Sequence, residues 1–378
     1  MNRIKKLMAV VLALLLILAL AAGCSKKQEE PEQEPQTVEE PVKEPEPVKE
    51  PEPVKEPEPV KEPEPVVEEP VLTNPLTGEA TQTDYTGLRP YCVMINNIVY
   101  AIQPRGVSKA DIVFEEMDEG GITRTQVFFM DISQVPEVGS IRSARIYNVY
   151  TAMAFDAFMV HCGGSPEAQN YLHGYGIEDI DQYTGNYLSG TFYRDSSRGT
   201  YGSEHTLFAY GEDLAKNPEG LGYRLTHEEG YDNTYGLTFS ADAANQCTES
   251  AKEIYVTYSG GKTTSFSYDE QTKAYTAYQY GGEYMDDSGD SVPFKNVLVL
   301  YADTWLQSDG SHLSIDLSGG TGYFATEGKY VPINWYRESE DDNFHFTLED
   351  GTPLKLNIGK TFVAVNQQGS YNGYTEFE

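Results

Sequence analysis

Residues 143–172 read SARIYNVYTAMAFDAFMVHCGGSPEAQNYL. In the first half Ile146, Val149, Tyr150 and Met153 recur at helical spacing, which predicts a helix over 143–155. The apolar run from Asp156 to Cys162 predicts a strand. Ser165 then stands where a cap belongs and Pro166 where a first helical turn begins, so a second, short helix is expected over 166–172. Helix, strand and helix in such close succession point to a mixed domain rather than an all-helical or all-strand one.

Outward from this stretch the same alternation continues. Tyr91 to Asn96, Ile112 to Met117 and Gln126 to Asp131 read as strands. Beyond about residue 240 the pattern changes to short Tyr- and Val-rich runs between glycine turns. Glu253 to Tyr258 and Thr263 to Tyr268 flank Ser259-Gly260-Gly261-Lys262, a hairpin. Seven further runs follow, at 274–280, 297–301, 313–317, 322–327, 330–336, 344–348 and 360–366. The expected fold class is therefore α+β, with a mixed α/β domain over 73–240 and a mostly antiparallel β domain over 241–378.

The N-terminal 72 residues cannot build a core. Arg3, Lys5 and Lys6 precede an uncharged apolar run from Leu7 to Ala22. That run is too short to span a bilayer comfortably and suits a signal peptide over 1–23. Leu20-Ala21-Ala22-Gly23-Cys24 reads as a lipobox, with Cys24 the residue that accepts the lipid and small residues before the cut. From 24 to 72 the chain is mostly Glu, Pro, Lys and Val, with four copies of Val-Lys-Glu-Pro-Glu-Pro over 42–65. Proline at that density favours an extended, disordered tether. Drawn out as polyproline II at about 3.1 Å per residue, its 46 residues from Ser25 reach on the order of 140 Å. The address read here is the extracytoplasmic face of a cell membrane, reached through lipidated Cys24.

The chain carries a formal charge of −32, and the tether, with 16 Glu and 6 Lys, supplies −10 of it. The remainder is still acidic, which excludes nucleic acid as a natural partner. Three cysteines remain, Cys92, Cys162 and Cys247, an odd number that gives no complete disulfide framework. No metal signature and no cofactor motif stands out. Against the acidic background, seven arginines crowd between Tyr85 and Tyr210. Arg142, Ser143 and Arg145 enter the first predicted helix, where guanidinium groups and free backbone N–H groups could meet one anion. Arg124, and the strand-to-helix turn His161-Cys162-Gly163-Gly164-Ser165, are further candidates for binding an anionic ligand. The competing reading pairs these arginines with nearby carboxylates. Glu116, Asp195 and His205 are the candidate acids or bases if the protein is an enzyme.

Several longer motifs resemble the YerB-like bacterial lipoproteins, domain-of-unknown-function family 3048. They are Asn74-Pro75-Leu76-Thr77-Gly78, Ala110-Asp111-Ile112-Val113, Glu119-Gly120-Gly121-Ile122-Thr123-Arg124, Val138-Gly139-Ser140-Ile141-Arg142-Ser143-Ala144-Arg145, and His161-Cys162-Gly163-Gly164-Ser165. The stretches around Asn296-Val297, Gly319-Gly320-Thr321-Gly322 and Gly359-Lys360-Thr361 resemble the family's second domain. Cys92 and Cys162 depart from the alanine usual there, and Thr206 from the usual asparagine. The resemblance implies a Gram-positive envelope address and a two-domain layout, and no mechanism. The function expected is a membrane-anchored lipoprotein that binds an anionic cell-wall ligand or partner protein through an Arg-rich cleft. The alternative is a cell-wall polymer hydrolase or transferase using the same arginines with Glu116, Asp195 or His205.

Overall fold

The computed structural model describes residues 71–369 and 373–378, so the expectations for the signal peptide, Cys24 and the repeats lie outside the described residues. The fold is mixed, with few helices and many strands in several sheets. The largest sheet contains β1 (Tyr91–Asn97), β2 (Ile112–Met117), β3 (Thr123–Phe129), β4 (Phe158–His161) and β5 (Asp179–Asp181) from the first half of the chain. From the second half come β6 (Asn296–Leu306), β7 (Gly319–Thr326), β8 (Lys329–Tyr336), β9 (His345–Leu348) and β10 (Thr361–Gly369). Their order is β9-β8-β7-β6-β10-β2-β3-β1-β4-β5. The sheet is thus continuous across residue 240.

The seam is β10. It runs parallel to β2, with Ile112 opposite Thr361, and parallel to β6, with Asn296 opposite the same residue. β3 is antiparallel to both of its neighbours, β2 and β1, and β4 and β5 continue in parallel from β1. β2 and β3 are buried at every position, as is β1 after Tyr91, because both faces of the sheet are covered.

Successive side chains on a strand point to opposite faces, and β2 shows what covers each. Glu115 reaches the second sheet, built on the hairpin of Glu253–Ser259 and Lys262–Asp269, while Glu116 reaches helix α1 (Ile146–Met153). α1 is shorter at both ends than the periodicity of 143–155 predicts. Helix α2 (Pro166–Tyr175) runs one turn beyond its expected end and stops at Gly176, whose φ of 65° is the left-handed cap glycine favours. β3 begins and ends ahead of the run at 126–131. Helix α3 (Gly211–Leu221) was not expected, because Pro218 and a mostly polar composition hide its periodicity.

Candidate functional site

The arginine-bearing loop before α1 is pinned from both sides. Ile141 N–H donates to Leu207 O, Arg142 N–H to Met94 O, and Cys162 N–H to Arg142 O. Gly139 makes the approach possible, since a Cβ there would stand 2.7 Å from the Phe208 ring and 2.8 Å from Leu207 O. The backbone of Arg142 is thereby held between the middle of β1 and the residue that follows β4.

The three arginines have different surroundings. Arg124 Nε lies 2.8 Å from Asp118 Oδ2, and its Nη1 donates to Ser143 O at 2.5 Å. Arg145 makes a two-pronged contact with Glu119, at 2.8 and 2.6 Å. These contacts hold the Glu119 carboxyl well below its ordinary range despite burial. Both guanidinium groups are therefore committed to carboxylates, the competing reading of their sequence. Arg142 is not. Among the described residues it has no carboxylate within 4 Å, and its Nε is buried without a hydrogen-bond partner. Burial pulls its pKa down, and the fields of Glu204 and Asp118 partly restore it.

Arg142 lines a hollow of about 190 Å³ together with Ser143, Cys162, Arg194, Ser203 and Glu204. Arg194, also without a carboxylate partner among the described residues, is held by donating to Ser203 O at 2.7 Å and to Thr206 Oγ1 at 3.1 Å. Two guanidinium groups and two hydroxyls thus meet in one small recess. Glu204 is the opposing charge on its rim. Arg194 was not among the sequence candidates; its exposed, polar surroundings give no signal until the strand that carries it and the loop that carries Arg142 are brought together.

The other candidates sit elsewhere. His161 is sealed in the core, with Nε2 3.0 Å from Asp179 Oδ2 and Nδ1 2.9 Å from Gly163 O. Burial alone would lower its pKa, but the Asp179 hydrogen bond and the nearby Asp181 raise it on balance. His161, Asp179 and Asp181 are also the described residues whose donor atoms gather as metal ligands would, within 4.8 Å of one another. A metal there would have to replace the His161–Asp179 bond. Gly163 adopts φ 67° and donates its N–H to Asp181, and Gly164 bridges Ala144. Ser165 caps α2 by accepting from Ala168 N–H at 3.2 Å, so that helix start receives its own side chain in place of an outside anion.

Glu116 is fully buried and bonded to Asn148 and Thr151 of α1, with no access to the hollow. Asp195 pairs with Arg105 at 2.8 Å and accepts from Ser197. His205 Nδ1 faces Asn96 Nδ2 at 2.8 Å, and burial lowers its pKa. Glu116, Asp195 and His205 each have a separate partner set, and none of the three lines the recess with Arg142.

Residues 76–224 match the family described as protein of unknown function (DUF3048), N-terminal domain, and residues 254–363 match its C-terminal domain. A relative from Bacillus subtilis (strain 168), named "Putative lipoprotein YerB", is 32% identical over 302 residues, spanning 78% of this chain and 86% of that protein. The chain belongs to the DUF3048 family. The crystal structure of YerB protein from Bacillus subtilis is similar to the fold described above, with a TM-score of 0.68 at 28% identity over 81% of this chain and 99% of that one. In DUF3048 terms, Arg124, Arg142, Arg145 and Arg194 all fall in the N-terminal segment, while β6 and the start of β10 fall in the C-terminal one. Among the described residues no helix is long and apolar enough to cross a membrane.

Proposed function

We propose that this chain is a lipoprotein fixed through Cys24 to the extracytoplasmic face of a Gram-positive cell membrane, and that it holds an anionic group in the recess at Arg142. The group belongs to a cell-wall polymer or to an envelope partner protein. The tether sets the reach of the folded part and the recess makes the contact. One observation carries the reading: Arg142 has a buried Nε with no partner and no carboxylate within 4 Å among the described residues, whereas Arg124 and Arg145 are paired. A buried donor left unmade costs about 1–3 kcal/mol, and an anion accepting from it recovers that loss. A recess of about 190 Å³ takes a single phosphate or carboxylate head rather than a whole repeat unit.

Cys162 provides the test. Cys92 and Cys247 are buried, while Cys162 is half-buried and lines the recess. The rate of Cys162 alkylation by iodoacetamide is read by peptide mass spectrometry on the full chain in detergent. Teichoic acid or a carboxylate-bearing stem peptide is expected to slow it severalfold in wild type and to leave Arg142→Gln unaffected. No protection by either ligand, or equal protection in the variant, overturns the reading.

A further inference from the structure

Where the second sheet lies on β2, four side chains are arranged for a reaction. Asn97 ends β1, Glu115 stands on β2, and Lys262 and Gln279 come from strands of the second sheet. None is more than 6% exposed, and the centre of the Tyr280 ring lies 4.7 Å from Lys262 Nζ. The amide of Asn97 is gripped at three points. Its Nδ2 donates to Glu115 Oε1 and to Thr123 Oγ1, each at 2.9 Å, and its Oδ1 accepts from Gln279 Nε2 at 2.7 Å. Lys262 Nζ bonds to the same two neighbours, at 2.8 Å to Glu115 Oε1 and at 2.5 Å to Gln279 Oε1. Amine and amide are thus bridged twice, once by a carboxylate oxygen and once by a glutamine.

A lysine amine is a nucleophile once it is neutral, and burial pulls the pKa of Lys262 down against the opposing pull of Glu115. Passing one proton from Nζ to Glu115 turns the charged pair into an amine and a carboxylic acid, with no charge left to bury. We propose that Lys262 and Asn97 join in an intramolecular isopeptide bond, with Glu115 as the proton carrier and Gln279 as the donor to the oxyanion.

The Nζ lone pair adds to Cγ of Asn97, and the carbonyl electrons move onto Oδ1, which the Gln279 N–H already holds. Glu115 gives its proton to Nδ2, the Cγ–Nδ2 bond breaks with its electron pair, and ammonia leaves. The second proton shed by Nζ returns Glu115 to the acid form. One C–N bond is exchanged for another, and nothing is oxidised or reduced. Gln279 also presents an amide to Nζ, but its Nε2 donates to Asn97 Oδ1 and bonds to no carboxyl group among the described residues, so that nitrogen has no source of the proton it needs to leave. Until the bond forms, the same contacts hold Lys262 and Glu115 as a buried charge pair.

Peptide mass spectrometry on the full chain tests this. The chain is recovered in urea, refolded into detergent buffer, and digested with trypsin at once and after an overnight incubation. The peptides carrying Asn97 and Lys262 are expected to appear joined, lighter than their sum by one ammonia, uncut after Lys262, and in growing yield. A chain kept in urea is expected to show no joined species. Lys262→Met and Asn97→Ala each remove one end of the bond and are expected to abolish it. Glu115→Gln, checked for a native circular dichroism spectrum, is expected to slow its formation at least about a hundredfold. Wild-type chain in which every Lys262 is still free after the incubation overturns the proposal, whether or not the variants fold. So does a bond to Gln279 in place of Asn97, or an unchanged rate in folded Glu115→Gln. Arg142→Gln is expected to form the bond as wild type does, so this proposal and the recess at Arg142 fail separately.

Discussion

Lys262 is the residue on which the two sheets lean most heavily. Its side chain is 1% exposed, and Nζ lies 2.8 Å from Glu115 Oε1 while also donating to Thr264 and Gln279. Glu115 in turn accepts from Asn97, Thr123, Tyr258 and Thr264, so every lone-pair direction is filled. Removing one partner of such a pair leaves an uncompensated buried charge, which destabilises by about 3–5 kcal/mol. Lys262→Met is expected to lose that much in urea unfolding, and Glu115→Gln/Lys262→Met to recover a substantial part of it. A double variant no better than the single one would mean that the charge pair is not what the contact supplies. Nothing at the level of residue types marks Lys262. It follows a hairpin glycine, where an exposed lysine is the ordinary expectation, and only the pairing of β2 with its overlying sheet gives it a carboxylate. Arg142 was legible as a candidate because arginines are conspicuous in an acidic chain. Which arginine stays unpaired was not, because Asp118 and Glu119 could have met any of the three.

At the scale of elements, α1 is docked onto β2 and β3 by polar groups as well as apolar ones. Glu116 accepts from Asn148 Nδ2 at 2.6 Å and from Thr151 Oγ1 at 2.9 Å, and burial pushes its pKa from 4.5 up to about 7. The sign follows from proton binding. Between pH 4.5 and 7 the unfolded chain releases this proton while the folded one keeps it, so stability falls as pH rises through that window and stays lowered above it. A glutamine in place of Glu116 has no proton to lose. Relative to wild type, Glu116→Gln is therefore expected to gain stability between about pH 5 and about pH 8, by an amount on the order of 3 kcal/mol at most. Urea unfolding of both proteins at the two pH values measures it, and a constant difference would show that Glu116 does not hold a proton in the fold. Most strands were readable from alternation and turn residues, the hairpin at Ser259–Lys262 included. The short strand β5 was not, since three residues carry no period. Yet its register, which sets Asp181 opposite His161, is what builds the buried triad.

For the whole molecule, composition changes at about residue 240, and the largest sheet takes strands from both sides of that point. Long-range pairing has no local signature, so the sequence shows that 360–366 forms a strand and not that the strand lies between β2 and β6. Residues 71–240 alone would expose the open edge of β2, a strand buried along its whole length in a sheet normally covered on both faces. A chain ending at Gly359 would lack the seam altogether. Both truncations are expected to be insoluble or unfolded by circular dichroism, and co-expression of 241–378 with 71–240 to restore a soluble complex. A cooperatively folded 71–240 fragment would show that the seam is dispensable.

The position of β10 also sets a timetable. A chain made from its N-terminus presents β2 early and β6 much later, and the strand that joins them later still. Until Thr361–Gly369 emerges, the two halves of the sheet have no common member, and the loop that must close is about 250 residues long. The large sheet is therefore kept in two parts by its own topology during synthesis, and locks only when β10 has been made.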